Sequence, residues 1–146
     1  MTIGEIIGPD QVVVGLRCGD KAQVLQELAG RAAAALGLDR AAIFDALVMR
    51  ENLGSTGLGK GFALPHARLE TLERPFALFA RLARAIDFEA IDEKPVDLVI
   101  LLLSPGGNQH LATLAALSRP LRDAAFVQRL RQAPDAGAVH RLLAGT

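Results

Sequence analysis

The sequence predicts an α/β protein: a mixed β-sheet flanked by helices on both faces. Two runs, residues 76–82 and 96–103, are dense in Val, Leu, Ile, Phe and Ala, as expected for central strands covered on both sides. Segments with the apolar spacing of helices alternate with the predicted strands. No internal repeat, linker or low-complexity tract interrupts the sequence, so we expect a single domain over residues 1–146.

The first predicted strand is the β-branched run at residues 11–16, and a helix is predicted to follow it. Asp20 is placed to cap that helix, with Gln23 three residues later in a capping-box arrangement. Gly37 stands where the C-terminus of this helix is expected. The beginning of the chain therefore predicts a strand followed by a well-delimited helix.

A second helix is predicted to begin near Asp39, and Arg50 continues its apolar stripe. Beyond the two central strands, helices are predicted from about residue 107, over 126–131 and over 135–143. For the helix that begins near residue 107, the spacing predicts a buried side formed by Leu111, Leu114, Ala115 and Leu121.

Charge, hydropathy and cysteine content exclude several classes of protein. Lys and Arg number 16 and Asp and Glu also 16, so neither net charge nor a basic stripe indicates a nucleic-acid binder. Apolar runs such as residues 96–103 are too short to span a bilayer, which needs about 20 residues, so membrane insertion is not expected. Cys18 is the single cysteine, which rules out an internal disulfide and favours a reducing, cytoplasmic location.

The least ordinary segment lies between residues 52 and 65 and is rich in glycine. Glycines allow backbone N–H groups to approach an anion closely, so the segment is a candidate phosphate-binding loop. It lacks P-loop spacing, because Lys60 is followed by Gly61 rather than Ser or Thr. A flexible hairpin is the alternative interpretation. The loop residues considered for phosphate binding are Ser55, Thr56, Gly57, Gly59 and Gly61.

His66 follows this loop directly. Pro65 fixes its own φ angle and pushes Leu64 towards an extended conformation, so the imidazole is held at a strand end rather than left mobile. The other two histidines have separate contexts. His110 lies in the first turn of a helix and faces the protein, either as an anion-binding group or as a buried structural histidine. His140 lies in an ordinary carboxy-terminal helix.

Arg50 is the third candidate for the site. Its position in the apolar stripe predicts that the guanidinium runs along the edge of the core, where it could bind a phosphoryl oxygen. The alternative is a cation favoured by the dipole at a helix C-terminus. Neither zinc-ligand spacing nor a Gly-x-Ser-x-Gly elbow occurs, so no metal, other cofactor or serine triad is expected.

Residues 50–68 read RENLGSTGLGKGFALPHAR. This block closely resembles the signature of the fructose/mannitol-type IIA domains of the bacterial sugar phosphotransferase system. The likeness continues through residues 85–92 and 95–98 to residues 110–111, and it covers nearly the whole chain. Within the family, the sequence looks most like the nitrogen-regulatory branch.

The resemblance implies a mixed sheet flanked by helices and a histidine that is phosphorylated by HPr or its nitrogen-branch relative. By motif position that histidine is His66, and Arg50 and His110 match the family's supporting positions. Lys60 stands where many relatives carry Asn, His or Arg, so no catalytic role is assigned to it. The implied partners also include regulatory targets such as transporters and kinases.

Two alternatives to a regulatory phosphocarrier stay open. A sugar-specific IIA component would pass its phosphoryl group to a separate IIB domain, although the chain shows no fused IIB, HPr-like or membrane segment, which favours regulation. A non-catalytic binding module would keep the fold without phosphoryl chemistry.

Overall fold

The computed structural model describes residues 2–145. The strands are β1 (Val12–Leu16), β2 (Gly57–Gly59), β3 (Phe62–Ala63), β4 (His66–Arg68), β5 (Phe76–Ile86) and β6 (Val96–Ser104). The helices are α1 (Ile3–Ile6), α2 (Lys21–Leu36), α3 (Arg40–Asn52), α4 (Gly107–Ser118), α5 (Ala124–Gln132) and α6 (Ala136–Ala144), with 3₁₀ turns at Pro9–Gln11 and Arg119–Arg122. None of these helices is long and apolar enough to cross a bilayer.

The six strands form one mixed sheet in the order β1-β5-β6-β3-β2, and β4 also pairs with β6. β5 and β6 are antiparallel, whereas β1 runs parallel to β5, and both β3 and β4 run parallel to β6. β3 pairs with the beginning of β6, and β4 pairs with its end, where His66 lies opposite Leu102. The two short strands thus follow each other along one side of β6, interrupted at Leu64 and Pro65, and β2 forms the outer edge beside β3.

Both faces of the sheet are covered, which confirms the predicted architecture. Leu78 and Ala80 of β5 pack in one hydrophobic cluster with α2 and α3. The alternate residues Ala77 and Phe79 pack in a second cluster with α1, α5 and α6. Strand residues alternate in direction, so each central strand supplies side chains to both clusters. That is why β5 and β6 are almost continuously apolar.

The predicted helix boundaries agree with the observed caps. Asp20 accepts a hydrogen bond from the Gln23 N–H at 2.8 Å, and Gly37 ends α2 with φ 68°. The capping box differs in one contact, because the Gln23 side chain accepts from the Gly19 N–H at 2.7 Å rather than from Asp20. Asp39 caps α3 by accepting from the N–H of Ala42.

The predicted buried side of α4 is wrong in part. Leu111 is 61% exposed and Ala115 is also exposed, whereas His110 and Leu117 are buried. Leu111 lies one position after the buried stripe, which includes the polar residues His110 and Thr113 as well as Leu117, so a stripe defined by apolar residues alone was placed too far round the helix. The other two predicted residues do turn inward, Leu114 partly and Leu121 fully.

The glycine-rich segment packs against the connection between β5 and β6. The Ile91 N–H donates to the Gly57 carbonyl at 3.2 Å, and Ser55 Oγ donates to the Phe88 carbonyl at 2.9 Å. A Cβ on Gly57 would lie 2.8 Å from both Cα and Cβ of Ala90. Glycine is required at position 57 by this close approach of two backbones.

Replacing Gly57 by Ala is expected to destabilise the protein by about 1–3 kcal/mol, because the added methyl group overlaps the backbone of Ala90. Chemical denaturation measures the free energy of unfolding. Gly19→Ala is the control, since its methyl group would meet only the movable end of the Gln23 side chain, and we expect a change within about 0.5 kcal/mol. Equal losses in the two variants would contradict this explanation.

Candidate functional site

His66 opens β4, and both ring nitrogens have hydrogen-bond partners. Nδ1 lies 2.8 Å from the Leu64 carbonyl oxygen, and Arg50 Nε donates to Nε2 at 3.2 Å. A carbonyl can only accept, so Nδ1 carries the proton and Nε2 carries the lone pair. The half-buried ring is therefore held as the tautomer in which the Nε2 lone pair faces Arg50.

Arg50 reaches His66 from the last turn of α3, which packs against β4. Its Nη1 donates to the Gly54 carbonyl at 2.8 Å while its Nε contacts the imidazole. These two bonds hold the guanidinium between the glycine-rich segment and His66. A planar guanidinium fixed at this place is suited to bind the oxygens of a phosphoryl group on Nε2.

His110 lies beside His66, with the ring centroids 5.4 Å apart and the ring planes tilted by 49°. His110 as a whole is only 4% exposed, and its Nδ1 forms a hydrogen bond with Ser104 Oγ at the end of β6. The structure thus brings the two histidines together from two different elements. No hydrogen bond of His110 constrains the His66 ring, because Leu64 and Arg50 occupy both of its nitrogens.

The surroundings favour the neutral form of both histidines. Burial lowers the pKa of His66, and the charges of Arg50 and Arg68 lower it further, while the Leu64 hydrogen bond and the charge of Glu51 act to raise it. Burial also lowers the pKa of His110, as do His66 and Arg68. A neutral imidazole is what nucleophilic attack requires.

A cleft of about 240 Å³ opens at His66. Its walls come from the end of α3, the glycine-rich segment and α4. They include Arg50, Ser55, Thr56, Leu58, His66 and Leu114. Large apolar side chains are exposed on these same elements, with Leu53 85% exposed, Leu58 49% exposed and Leu111 61% exposed. The site is therefore a small recess with largely apolar walls around Arg50 and His66, and it opens on a partly apolar surface.

The structure divides the predicted loop residues into two groups. Ser55 and Thr56 line the cleft, and Gly57 is next to them, its N–H donating to Ser55 Oγ at 3.0 Å. Gly59 and Gly61 lie elsewhere, with Gly59 against Asp92 and Gly61 against Asp97 and Arg131. The second group is not brought to His66.

Several residues that the structure places at the site were not predicted from the sequence to have a role there. Glu51 contacts Thr56, Ser104 contacts His110, and Arg68 lies two positions after His66 on the same strand. For Arg68 a signal existed, since residues at i and i+2 of a strand share a face. The other two contacts join separate elements or a helix and a loop, and no local spacing reveals them.

No group of three or more His, Cys, Asp or Glu side chains placed to hold a metal ion occurs within residues 2–145.

The geometry predicts how His66 titrates. Its pKa should lie below the ordinary value for histidine, and Arg50→Gln should raise that pKa, because a neighbouring positive charge and a donor to the Nε2 lone pair are lost. NMR of the ring carbon-bound protons against pH measures both values. The matched control is Arg40→Gln at the other end of α3, which should leave the titration of His66 unchanged. A fall in the pKa of His66 in Arg50→Gln would contradict the geometry.

The sequence is similar to proteins of known family over nearly its whole length. A family model described as "Phosphoenolpyruvate-dependent sugar phosphotransferase system, EIIA 2" matches residues 5–145. A "Nitrogen regulatory protein" of Bradyrhizobium diazoefficiens is 46% identical over 146 residues, covering 99% of this chain and 95% of that protein. A "PTS system fructose-specific EIIA component" of Haloferax volcanii is 42% identical over 108 residues, covering 73% of this chain and 70% of that protein.

A solved structure supports the same family assignment. The crystal structure of "Nitrogen Regulatory Protein IIA-Ntr" from Neisseria meningitidis superposes with a TM-score of 0.90 at 32% identity, covering 97% of this chain and 98% of that one. The resemblance read from residues 50–68 is thus confirmed, and the chain is similar to nitrogen regulatory members. It belongs to the EIIA 2 family of the phosphoenolpyruvate-dependent sugar phosphotransferase system.

Proposed function

We propose that this protein is a histidine phosphocarrier that accepts a phosphoryl group on Nε2 of His66 from HPr or its nitrogen-branch relative, and that its phosphorylation state serves as a regulatory signal. The observation that carries the proposal is the pair of bonds on the imidazole. The Leu64 carbonyl fixes the proton on Nδ1, and Nε2 meets the guanidinium of Arg50.

The reaction is a transfer between two imidazoles. The Nε2 lone pair of His66 attacks the phosphorus of the donor's phosphohistidine, the N–P bond of the donor breaks, and its electron pair returns to the donor's ring nitrogen. The proton on Nδ1 of His66 stays in place, held by Leu64. Such transfer passes through a loose, in-line transition state, so the protein contributes position and charge.

Arg50 changes partners during this step. Its Nε–H binds the Nε2 lone pair in the unphosphorylated protein, and that lone pair forms the new N–P bond. The guanidinium is then free to bind phosphoryl oxygens on the same nitrogen, while its bond to the Gly54 carbonyl keeps it nearby. Arg50 therefore holds the Nε2 lone pair in a hydrogen bond before transfer and neutralises the phosphoryl charge after it.

His110 is assigned the role of a hydrogen-bond donor to the phosphoryl group. Ser104 Oγ–H can donate to Nδ1 of His110, which leaves the proton of the neutral ring on Nε2. The alternative role, orienting His66, is not supported by a contact, since Leu64 and Arg50 already hold that ring.

A protein donor suits this site better than a small molecule. The cleft of about 240 Å³ is smaller than the roughly 300–1,000 Å³ of small-molecule pockets. Exposed apolar residues such as Leu58 and Leu111 occur on the elements that form it, as on protein-binding surfaces. Phosphorylation adds negative charge at this face, which a regulatory target, such as a transporter or kinase, could distinguish.

Intact-mass measurement tests the proposal. After incubation with phosphoenolpyruvate, the general phosphotransferase enzyme and HPr or its nitrogen-branch relative, the wild type should gain one acid-labile phosphoryl group. His66→Ala should gain none, because the nucleophile is absent, whereas the control His140→Ala should be labelled like the wild type. Full labelling of His66→Ala would contradict the assignment. No labelling of the folded wild type with any donor would favour a non-catalytic binding module.

A sugar-specific role is the second candidate, and similarity to a fructose-specific EIIA component favours it. The phosphorylated protein should retain its label when mixed with purified fructose- or mannitol-type IIB proteins, because we propose a regulatory role. A sugar-specific IIA component treated in parallel should lose its label. Transfer from this protein at the rate of that control would establish the sugar-specific role instead.

A further inference from the structure

A buried carboxylate behind the cleft has no part in the transfer described above. Glu51 is 8% exposed and lies in the last turn of α3, next to Arg50. Lys21 Nζ pairs with it at 2.7 Å. Burying an ionised carboxylate beside a site for a negatively charged group is unfavourable unless the carboxylate is paired and hydrogen-bonded. The presence of the Glu51 carboxylate at this place is therefore expected to have a specific structural reason.

Glu51 binds both donors of one loop residue. Oε2 accepts the Thr56 N–H at 3.2 Å, and Oε1 accepts the Thr56 hydroxyl proton. The Thr56 carbonyl in turn accepts the Leu64 N–H at 3.0 Å. The Leu64 carbonyl accepts the Nδ1 proton of His66 at 2.8 Å. A continuous series of hydrogen bonds thus leads from the carboxylate to the imidazole.

Glu51, at the other end of this series of hydrogen bonds, is held by Lys21 of α2. Lys21 is the first residue of α2, and its ammonium lies 4.9 Å from the centre of the Phe88 ring. The Phe88 carbonyl accepts from Ser55, next to Thr56. Glu89 is a second carboxylate near Lys21, at 3.7 Å, but its side chain is exposed. Glu51 therefore ties α2, α3 and the glycine-rich segment together.

We propose that Glu51, held by Lys21, is a positioning residue for phosphoryl transfer. By fixing Thr56 it keeps the Leu64 peptide in place, and that peptide keeps the proton of His66 on Nδ1 and the lone pair on Nε2. The inference rests on the proposed function of His66 as the phosphoryl acceptor.

The negative charge of Glu51 also affects phosphoryl transfer, and this effect opposes the effect of positioning. Around His66 the charged or titratable groups are Arg50 from α3, Arg68 from β4, His110 from α4 and Glu51. Among them, in the described part of the chain, Glu51 is the acidic one, and it acts to raise the pKa of His66. Losing only this charge would keep His66 neutral at lower pH and favour transfer there. Losing the positioning slows transfer at every pH.

The test compares Glu51→Gln with Glu89→Gln, which removes the exposed carboxylate from the same lysine. Gln fits the volume of Glu51 but offers one acceptor oxygen where Thr56 uses two. The initial rate of phosphorylation should fall about 10-fold or more in Glu51→Gln across the pH profile, and stay within about twofold in Glu89→Gln. Nitrogen-15 NMR of His66 reads its tautomer directly. The wild-type spectrum should show a protonated Nδ1, and Glu51→Gln should show exchange between both tautomers.

A double variant, Lys21→Met with Glu51→Leu, removes the carboxylate without leaving a buried charge unpaired, and so guards against misfolding. It should slow phosphorylation about 100-fold and show the same mixture of tautomers. A wild-type rate in either folded variant overturns the inference, and so does a slow rate with the wild-type tautomer. If the wild type itself is not phosphorylated, the proposed function fails, while the tautomer measurement still decides whether Glu51 positions His66.

Discussion

The site depends on one backbone carbonyl. β3 and β4 both pair with β6, and the interruption between them falls at Leu64 and Pro65. The Leu64 N–H donates to the Thr56 carbonyl, and the Pro65 carbonyl accepts from the Leu102 N–H of β6, so the chain is held on either side of the Leu64 carbonyl. This carbonyl accepts the Nδ1 proton of His66. The position of the lone pair on Nε2 follows from it, and so does the bond that Arg50 Nε donates to that nitrogen, whereas the neutral state of the ring comes from burial and the neighbouring cations.

The charges at the site must both attract the phosphoryl group and keep His66 able to attack it. An incoming phosphoryl group is best met by cations, yet a histidine must stay unprotonated to attack it. Arg50 and Arg68 satisfy both needs, because fixed positive charges attract the phosphoryl group and also lower the pKa of His66. Burial acts in the same direction for both His66 and His110. Protonated histidines would attract the phosphoryl group equally well but would lose the nucleophile.

Local sequence signals were sufficient for most of the fold. β5 and β6 are apolar because both of their faces are covered, and Asp20, Gly37 and Asp39 mark helix ends through bonds to nearby residues. The site was less accessible to such reasoning. His66 and Arg50 stood out through the block at residues 50–68, whereas Glu51 and Ser104 matter through contacts with distant or differently folded segments. The inward turn of His110 was predicted, but Leu111 was wrongly placed on the buried side of α4, because the polar residues His110 and Thr113 take part of the buried stripe.

Turn geometry and close packing explain the glycines of the loop, so phosphate binding is not needed to account for them. Gly59 and Gly61, with Lys60 between them at φ 58°, form the positive-φ turn of the β2–β3 hairpin, away from His66. Gly57 is required by its contact with Ala90. Both donors of Thr56 are occupied by Glu51. The loop therefore acts mainly to hold the Leu64 peptide, and in the proposed transfer the phosphoryl charge is met by Arg50 and His110. Because the loop supports the site without binding the phosphoryl group, the proposed transfer needs a change only at Arg50 and the new N–P bond, and the loop can keep one geometry throughout.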